Sequence, residues 1–218
     1  WPADLHCIGK GILRFHAVYW PAILISAGLE LPKEIFVHGY LTIEGQKISK
    51  SLGNAISPNE VVTKYGTDAL RYYLLKTIHP YQDGDFSWKL FKEVYNADLA
   101  NGIGNLTQRV AKLAEIINLG GKSINSKHKL NTNLFISLFQ FNKGLASIWE
   151  EISNLDKYIN TQKPWEKSGE DLEKILLKPI NELLEIAYLL KPYLPETAEK
   201  IEKIFTAEKI AAPKKPLF

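Results

Sequence analysis

The stretch Tyr40-Leu41-Thr42-Ile43-Glu44-Gly45-Gln46-Lys47-Ile48-Ser49-Lys50-Ser51-Leu52-Gly53-Asn54 changes character twice. Its first four residues form an apolar, β-branched run with strand composition. Glu44-Gly45-Gln46 reads as a tight turn, because glycine adopts backbone angles that other residues avoid. Lys47 to Ser51 then sets two ammonium groups and two hydroxyls on what should be an exposed loop. Upstream, Ile35-Phe36-Val37 is a second strand-like run, separated from the first by His38-Gly39. Residues 1 to about 90 therefore read as α/β, built of short strands and loops punctuated by Gly and Pro.

From about Trp88 the period lengthens. Leu90, Val94, Leu99, Ile103, Leu106 and Val110 recur three to five apart, which predicts a long helix over about 88–118. Gly120-Gly121 should end it, and residues 122–133 have the composition of a connecting loop. Leu134, Phe135, Leu138, Leu145, Ile148, Trp149 and Ile152 predict a second helix over about 133–159. Ser168 with Asp171 three places later resembles a capping box, so a third helix should start there and run to about Lys191. Pro192 and Pro195 punctuate it before a last helix at about 196–205. Three or four antiparallel helices with short connections make a bundle.

Composition excludes some classes and leaves others open. The chain has 218 residues, 45% of them hydrophobic, enough for a substantial core. A net charge of +3 permits a nucleic-acid partner without demanding one. Cys7 is the single cysteine, so no internal disulfide and no multi-thiolate metal site can form, and a reducing compartment is expected. No apolar run approaches the roughly 20 residues needed to span a bilayer. A soluble, cytoplasmic chain without a membrane partner and without its own metal site is the expectation. The opening Trp-Pro-Ala and the absence of methionine suggest a chain that begins within a longer protein.

The lysine loop suits a polyphosphate. Ammonium groups neutralise phosphate oxygens and stabilise charge that grows during phosphoryl or adenylyl transfer, and a loop can close on the nucleotide when it arrives. On composition alone, two lysines three apart equally serve to solvate a turn.

The wider pattern decides between these readings. Lys47-Ile48-Ser49-Lys50-Ser51 is similar to the Lys-Met-Ser-Lys-Ser signature of class I aminoacyl-tRNA synthetases, with isoleucine in place of methionine. Trp1-Pro2-Ala3-Asp4-Leu5-His6, Ile8-Gly9-Lys10, Phe15-His16, Trp20-Pro21-Ala22 and Phe36-Val37-His38-Gly39-Tyr40 resemble the methionyl branch in particular, as does the segment from Tyr65 to Leu74. The resemblance implies residues 1–90 as the end of an α/β nucleotide-binding catalytic domain with the signature-loop region. It implies residues 91–218 as an all-α anticodon-binding bundle. Lys47 and Lys50 would contact the triphosphate of ATP, carried with Mg2+, with Lys50 the stronger contributor to transition-state stabilisation. Ser49 and Ser51 would support them, and Gly9, His38 and Gly39 would lie near the nucleotide. Ile12 and His16 would line the methionine pocket, although a histidine beside Phe15 and Trp20 equally serves as a core residue. Gly11 stands where the family usually has aspartate, so a carboxylate suited to the ribose is missing. The His-Ile-Gly-His type motif is absent too, and this part alone should not activate methionine.

In the helical half, Asn101, Asn105 and Arg109 are four apart and share a face, suited to unpaired bases or to solvent alike. Gly102 and Gly104 would permit close helix packing. Asn105 and Arg109 resemble the family's anticodon-contacting positions, and Pro164-Trp165 resembles an element whose indole stacks on an anticodon base. The implied partners are tRNA(Met), methionine and ATP; oligomeric state is not legible. The alternatives are a leucyl, isoleucyl, valyl or cysteinyl synthetase, or a tRNA-binding module without chemistry.

Overall fold

The computed structural model describes residues 1–48, 53, 55–120 and 133–218, and is mostly helical with two small sheets. Two compact units interleave along the chain: Trp1–Ile56 with Thr77–Ser87, and Ser57–Lys76 with Trp88–Phe218.

In the first unit, β1 (His6–Gly9) runs parallel to β2 (Ile35–His38), with His6 opposite Ile35 and Gly9 opposite His38. A parallel pair needs a crossover. Here it is a 3-10 turn (Lys10–Ile12), a π-helical turn (Phe15–Tyr19) and α1 (Trp20–Ser26). The crossover leaves a broad apolar surface open: Phe15, Val18, Ile23 and Ile25 are each more than half exposed. The second sheet has the order β4-β3-β5. β3 (Leu41–Ile43) and β4 (Gln46–Lys47) form a hairpin through the turn expected at Glu44-Gly45, so that a short strand stands where an exposed loop was expected to begin, and β5 (Gly84–Phe86) lies parallel to β3. Glu44 and Gly45 both have positive φ, 49° and 74°, the backbone of a two-residue turn that matches strand twist. The Asp85 carboxylate accepts hydrogen bonds from the Gly45 amide at 2.8 Å and the Thr42 hydroxyl at 2.5 Å. A long-range group thus holds the turn.

The second unit comprises residues 57–76 with α2 (Pro58–Tyr65) and most of α3 (Thr67–Thr77), followed by the helices from Trp88 onward. The helix expected over 88–118 is divided into α4 (Trp88–Val94), a π-helical stretch (Tyr95–Gly104) and α5 (Asn105–Ile116). Two glycines explain the division. A β-carbon at Gly102 would lie 3.2 Å from the Ala97 carbonyl oxygen, and one at Gly104 would lie 2.8 Å from that of Leu99. Both carbonyls stand five residues back, where π-helical winding brings them close. Gly102 also leaves helical angles, at φ −82° and ψ −107°. The glycines therefore serve the local winding rather than packing between helices.

The second expected helix is likewise two: α6 (Asn133–Ser137) and α7 (Phe141–Gln162), broken where Phe139 takes φ 54°. Leu134 and Leu138, expected on its apolar face, are exposed, as is Leu90. α8 (Gly169–Leu190) and α9 (Pro195–Phe205) lie where expected. Ser168 is extended as a cap should be, yet its side chain makes no capping hydrogen bond, because Gly169 directly after it turns through φ 56°. The connection expected over 122–133 lies largely outside the described residues. α8 packs against α5, α7 and α9, and its Leu176, Leu183, Ala187 and Leu190 are completely buried.

Residues of α3 tie the α8–α9 corner. Arg71 donates through Nε to the Tyr193 carbonyl and through Nη2 to that of Pro192, each at 2.8 Å. One turn earlier, buried Asp68 accepts from the Thr197 amide and hydroxyl, each at 2.7 Å. Leu194 at the cap position of α9 has no acceptor, so Asp68 serves as its cap from across the fold.

Candidate functional site

Ligands of open α/β sheets gather outside the carboxyl ends of parallel strands. At that edge the first unit sets Gly9 beside His38. A β-carbon at Gly9 would meet His38 Cε1 at 3.6 Å. The His38 Nδ1–H donates to the Gly39 carbonyl at 2.8 Å. At Gly39 a β-carbon would fall 2.2 Å from the Gln82 carbonyl oxygen. Since backbone occupies that space, only glycine fits.

Asp83, the next residue, accepts from the Tyr40 amide and from Lys10 Nζ, both at 2.7 Å. The Lys10 ammonium also lies 4.7 Å from the centroid of the Tyr40 ring. One carboxylate thus links the turn after β1 to the corner after β2. The Lys10 hydrogen bond, then that of the Tyr40 amide, hold the Asp83 carboxyl below its ordinary pKa. A lowered pKa means that the stabilisation is complete above the ordinary carboxylate range and is lost as pH falls through the depressed value. Asp83→Asn is therefore expected to lower the urea midpoint of the first unit at neutral pH, and the difference from wild type should vanish in acid. A difference that is the same at all pH values would remove the ionic part of this link.

Gly11 lies against the far end of the exposed Tyr40 side chain. A β-carbon there would sit 2.4 Å from the Tyr40 hydroxyl, so the phenol lies where an aspartate side chain would begin. Ile12 is exposed in the 3-10 turn, and its carbonyl accepts from His16 Nδ1 at 3.0 Å. His16 lines a cleft of about 410 Å³ with His6, Phe15, Tyr19, Trp20 and Ile23. Lys47 ends β4, paired in register with Thr42. Ser49, Lys50 and Ser51 lie outside the described residues.

In the second unit, Asn105 is exposed at the start of α5 and Arg109 follows one turn later. The Arg109 Nη1 donates to Asp156 Oδ1 at 2.8 Å and Nη2 to Asn160 Oδ1 at 2.8 Å. Asn160 Nδ2 donates to Asp156 Oδ2 at 2.9 Å. The guanidinium carbon lies 5.8 Å from the centroid of the Trp165 ring, and Trp165 is 53% exposed. Trp165 follows Lys163, which closes α7 in the left-handed conformation at φ 46°. A cleft of about 290 Å³ opens beside this cluster, with Asp98, Asn101, Trp149, Asp156 and Lys157 among its lining residues. Nearby, Tyr72 donates to Asp98 at 3.0 Å and lies 4.3 Å from the Trp149 ring. Burial, and then the Asp98 charge, push the Tyr72 phenol far above its ordinary range, so it stays neutral. Asp98 also pairs with Lys76.

The sequence reading missed Tyr40, Asp83, Asp156 and Asn160. The spacing of Asp156 and Asn160, one helical turn apart just before Pro164-Trp165, was a usable signal. Asp83 offered none, since its partners are 43 and 73 residues away.

Among the described residues no group of three or more His, Cys, Asp or Glu is placed to hold a metal ion. No helix among them is long and apolar enough to cross a membrane.

A parallel strand pair with glycine and histidine at its carboxyl edge, where open α/β sheets take ligands, and a set of packed helices define a class of chain with one α/β unit and one helical unit. The comparisons narrow that class. The family described as tRNA synthetases class I (M) matches residues 3–111, half of the chain, and the chain belongs to that family. It is 40% identical to the methionine–tRNA ligase of Thermotoga maritima over 92% of this chain and 35% of that protein. It is also 40% identical to the methionine–tRNA ligase of a Nostoc species, over 92% of this chain and 42% of the relative. The structure of Mycobacterium tuberculosis methionyl-tRNA synthetase in complex with methionyl-adenylate superposes with a TM-score of 0.83 at 33% identity, covering all of this chain and half of that one. The chain thus spans about a third to two fifths of the length of these curated relatives. These likenesses favour the methionyl branch over the leucyl, isoleucyl, valyl and cysteinyl ones.

Proposed function

We propose that this chain forms the signature-loop and anticodon-reading part of a cytoplasmic methionine–tRNA ligase. The reaction joins methionine to ATP, giving methionyl-adenylate and pyrophosphate, and then passes the methionyl group to the terminal ribose of tRNA(Met) with release of AMP. The observation that carries this reading is the pairing of Gly9 with His38 at the carboxyl edge of β1 and β2. There a small residue admits the nucleotide and a histidine supplies a polar edge.

In this reading Lys47 and Lys50 neutralise the triphosphate, with Ser49 and Ser51 as further donors. Magnesium travels with the triphosphate as part of the substrate. Ile12 and His16 face methionine, and for His16 the cleft that it lines supports this. Asn105, Arg109 and Trp165 read the anticodon, supported by the seating of the guanidinium over a half-exposed indole. Functionally the catalytic part ends near residue 90 and the anticodon-binding part covers 91–218. The apolar side chains Phe15, Val18, Ile23 and Ile25 exposed on the crossover fit coverage by the rest of a longer polypeptide.

The test is ATP–pyrophosphate exchange by the full-length protein. Exchange is expected with methionine and not with leucine, isoleucine, valine or cysteine. Exchange driven by one of those instead would overturn the assignment.

A further inference from the structure

We propose that Asp156 and Asn160 are positioning residues for Arg109 in RNA recognition, holding its guanidinium ready beside Trp165 before RNA arrives. The inference rests on the anticodon reading above and concerns two residues that reading does not use.

The three side chains form a closed ring of hydrogen bonds: Arg109 to Asp156, Arg109 to Asn160, and Asn160 to Asp156. α7 supplies Asp156 and Asn160 one turn apart on the same face, whereas Arg109 comes from α5. Each acceptor oxygen in the ring receives one donor. The Asn160 amide has a defined orientation, because its NH2 must face a carboxylate and its oxygen a guanidinium. A guanidinium has five N–H groups, and the ring takes two. Three remain to be offered to a base or sugar, and the Trp165 indole flanks them.

This arrangement has two consequences. A long flexible side chain that RNA would otherwise have to immobilise is already ordered, so its contacts cost less when RNA binds. The Asp156 charge offsets that of Arg109, so the pair contributes direction more than attraction for phosphate. Loss of a phosphate contact reduces the salt dependence of binding by about one unit of slope, whereas loss of a positioned contact to a base weakens discrimination.

The test uses the full-length protein and two RNA hairpins, one with the anticodon loop of tRNA(Met) and one with a changed anticodon. Asp156→Ala is expected to weaken binding of the first hairpin about three- to tenfold, the cost of leaving one side chain to be ordered on binding. Discrimination between the hairpins should fall while the salt slope stays unchanged. The paired exchange Asp156→Asn with Asn160→Asp keeps one acid and one amide in the ring and is expected to restore both affinity and discrimination. It also separates positioning from a general loss of folding, which circular dichroism monitors in each variant. If Arg109→Ala weakens the first hairpin and Asp156→Ala does not, the positioning role is wrong and the anticodon reading stands. If Asp156→Ala weakens both hairpins equally with a reduced salt slope, the role is likewise overturned. If Arg109→Ala itself changes nothing, the anticodon reading fails and the inference falls with it.

Discussion

Alanine in place of Lys50 is expected to lower methionine-dependent ATP–pyrophosphate exchange by the full-length protein by about 10²–10³-fold, the usual effect of removing one positioned donor from a site of growing negative charge. The expectation follows from the chemistry of adenylate formation. As the bond between the α-phosphorus and the leaving oxygen stretches, charge accumulates on pyrophosphate, and an ammonium placed there is worth more in the transition state than in the ground state. The drop should therefore appear in kcat, with KM for methionine nearly unchanged. Lys47 ends β4, a strand anchored through its turn by Asp85, so Lys47→Ala should reduce exchange less and raise KM for ATP more. Arginine at position 50 should not restore the rate, because a planar fork does not reproduce a compact ammonium. Exchange within a factor of two of wild type in Lys50→Ala would remove Lys50 from the reaction.

The second large effect is on stability. Asp68→Ala is expected to cost about 2–4 kcal/mol, because it removes two hydrogen bonds to a buried carboxylate and leaves the first turn of α9 without its cap. For a chain of this size that corresponds to a fall in Tm of roughly 5–15 °C. Asp68 is 4% exposed, and its Oδ2 serves both the Thr197 amide and hydroxyl. Water cannot easily replace it, and Pro195 at the first position of α9 leaves Thr197 among the few amides needing a partner. Asp68→Asn keeps an acceptor but loses the charge that favours a helix N-terminus, so it should fall about midway. Thermal melting followed at 222 nm separates the three proteins. A shift of Asp68→Ala under about 1 °C would mean that α9 does not depend on this cap.

How far the sequence could be read depended on the distance between interacting residues. The turn at Glu44-Gly45 was legible because the glycine and the apolar run before it are neighbours in the chain, whereas the pairing of Gln46–Lys47 with β3 was not, since those two residues have no strand pattern of their own. α8 and α9 were legible because a period of 3.6 recurs along each helix. By contrast, the helix expected over 88–118 has the right periodicity and the wrong winding. Its apolar residues satisfy an α-helical template, while Gly102 and Gly104 admit the close carbonyls of a π-helical stretch, and no periodicity count registers that. The cap expected at Ser168 failed for a similar reason. A cap needs a particular backbone around the hydroxyl, and Gly169 directs that backbone elsewhere.

The same division runs through the candidate sites. Gly9, His38, Gly39, Arg109 and Trp165 could be named from the motifs that hold them. Why Gly39 must be glycine depends on the Gln82 backbone, and what holds Arg109 depends on residues 47 and 51 positions away.

By itself the sequence determined the strand-like runs around 35–37 and 40–43 with the turn after them, the helices α8 and α9, and which family the chain resembles. These follow from side-chain pattern and backbone preference within a few residues of one another. Tertiary structure alone decided the partners of Arg109, Asp68 and Asp83 and the grouping of α2 with the later helices. Each of these arises where segments distant in the chain come within hydrogen-bonding or contact distance, and at such distances the linear order of residues holds no record of who will meet whom.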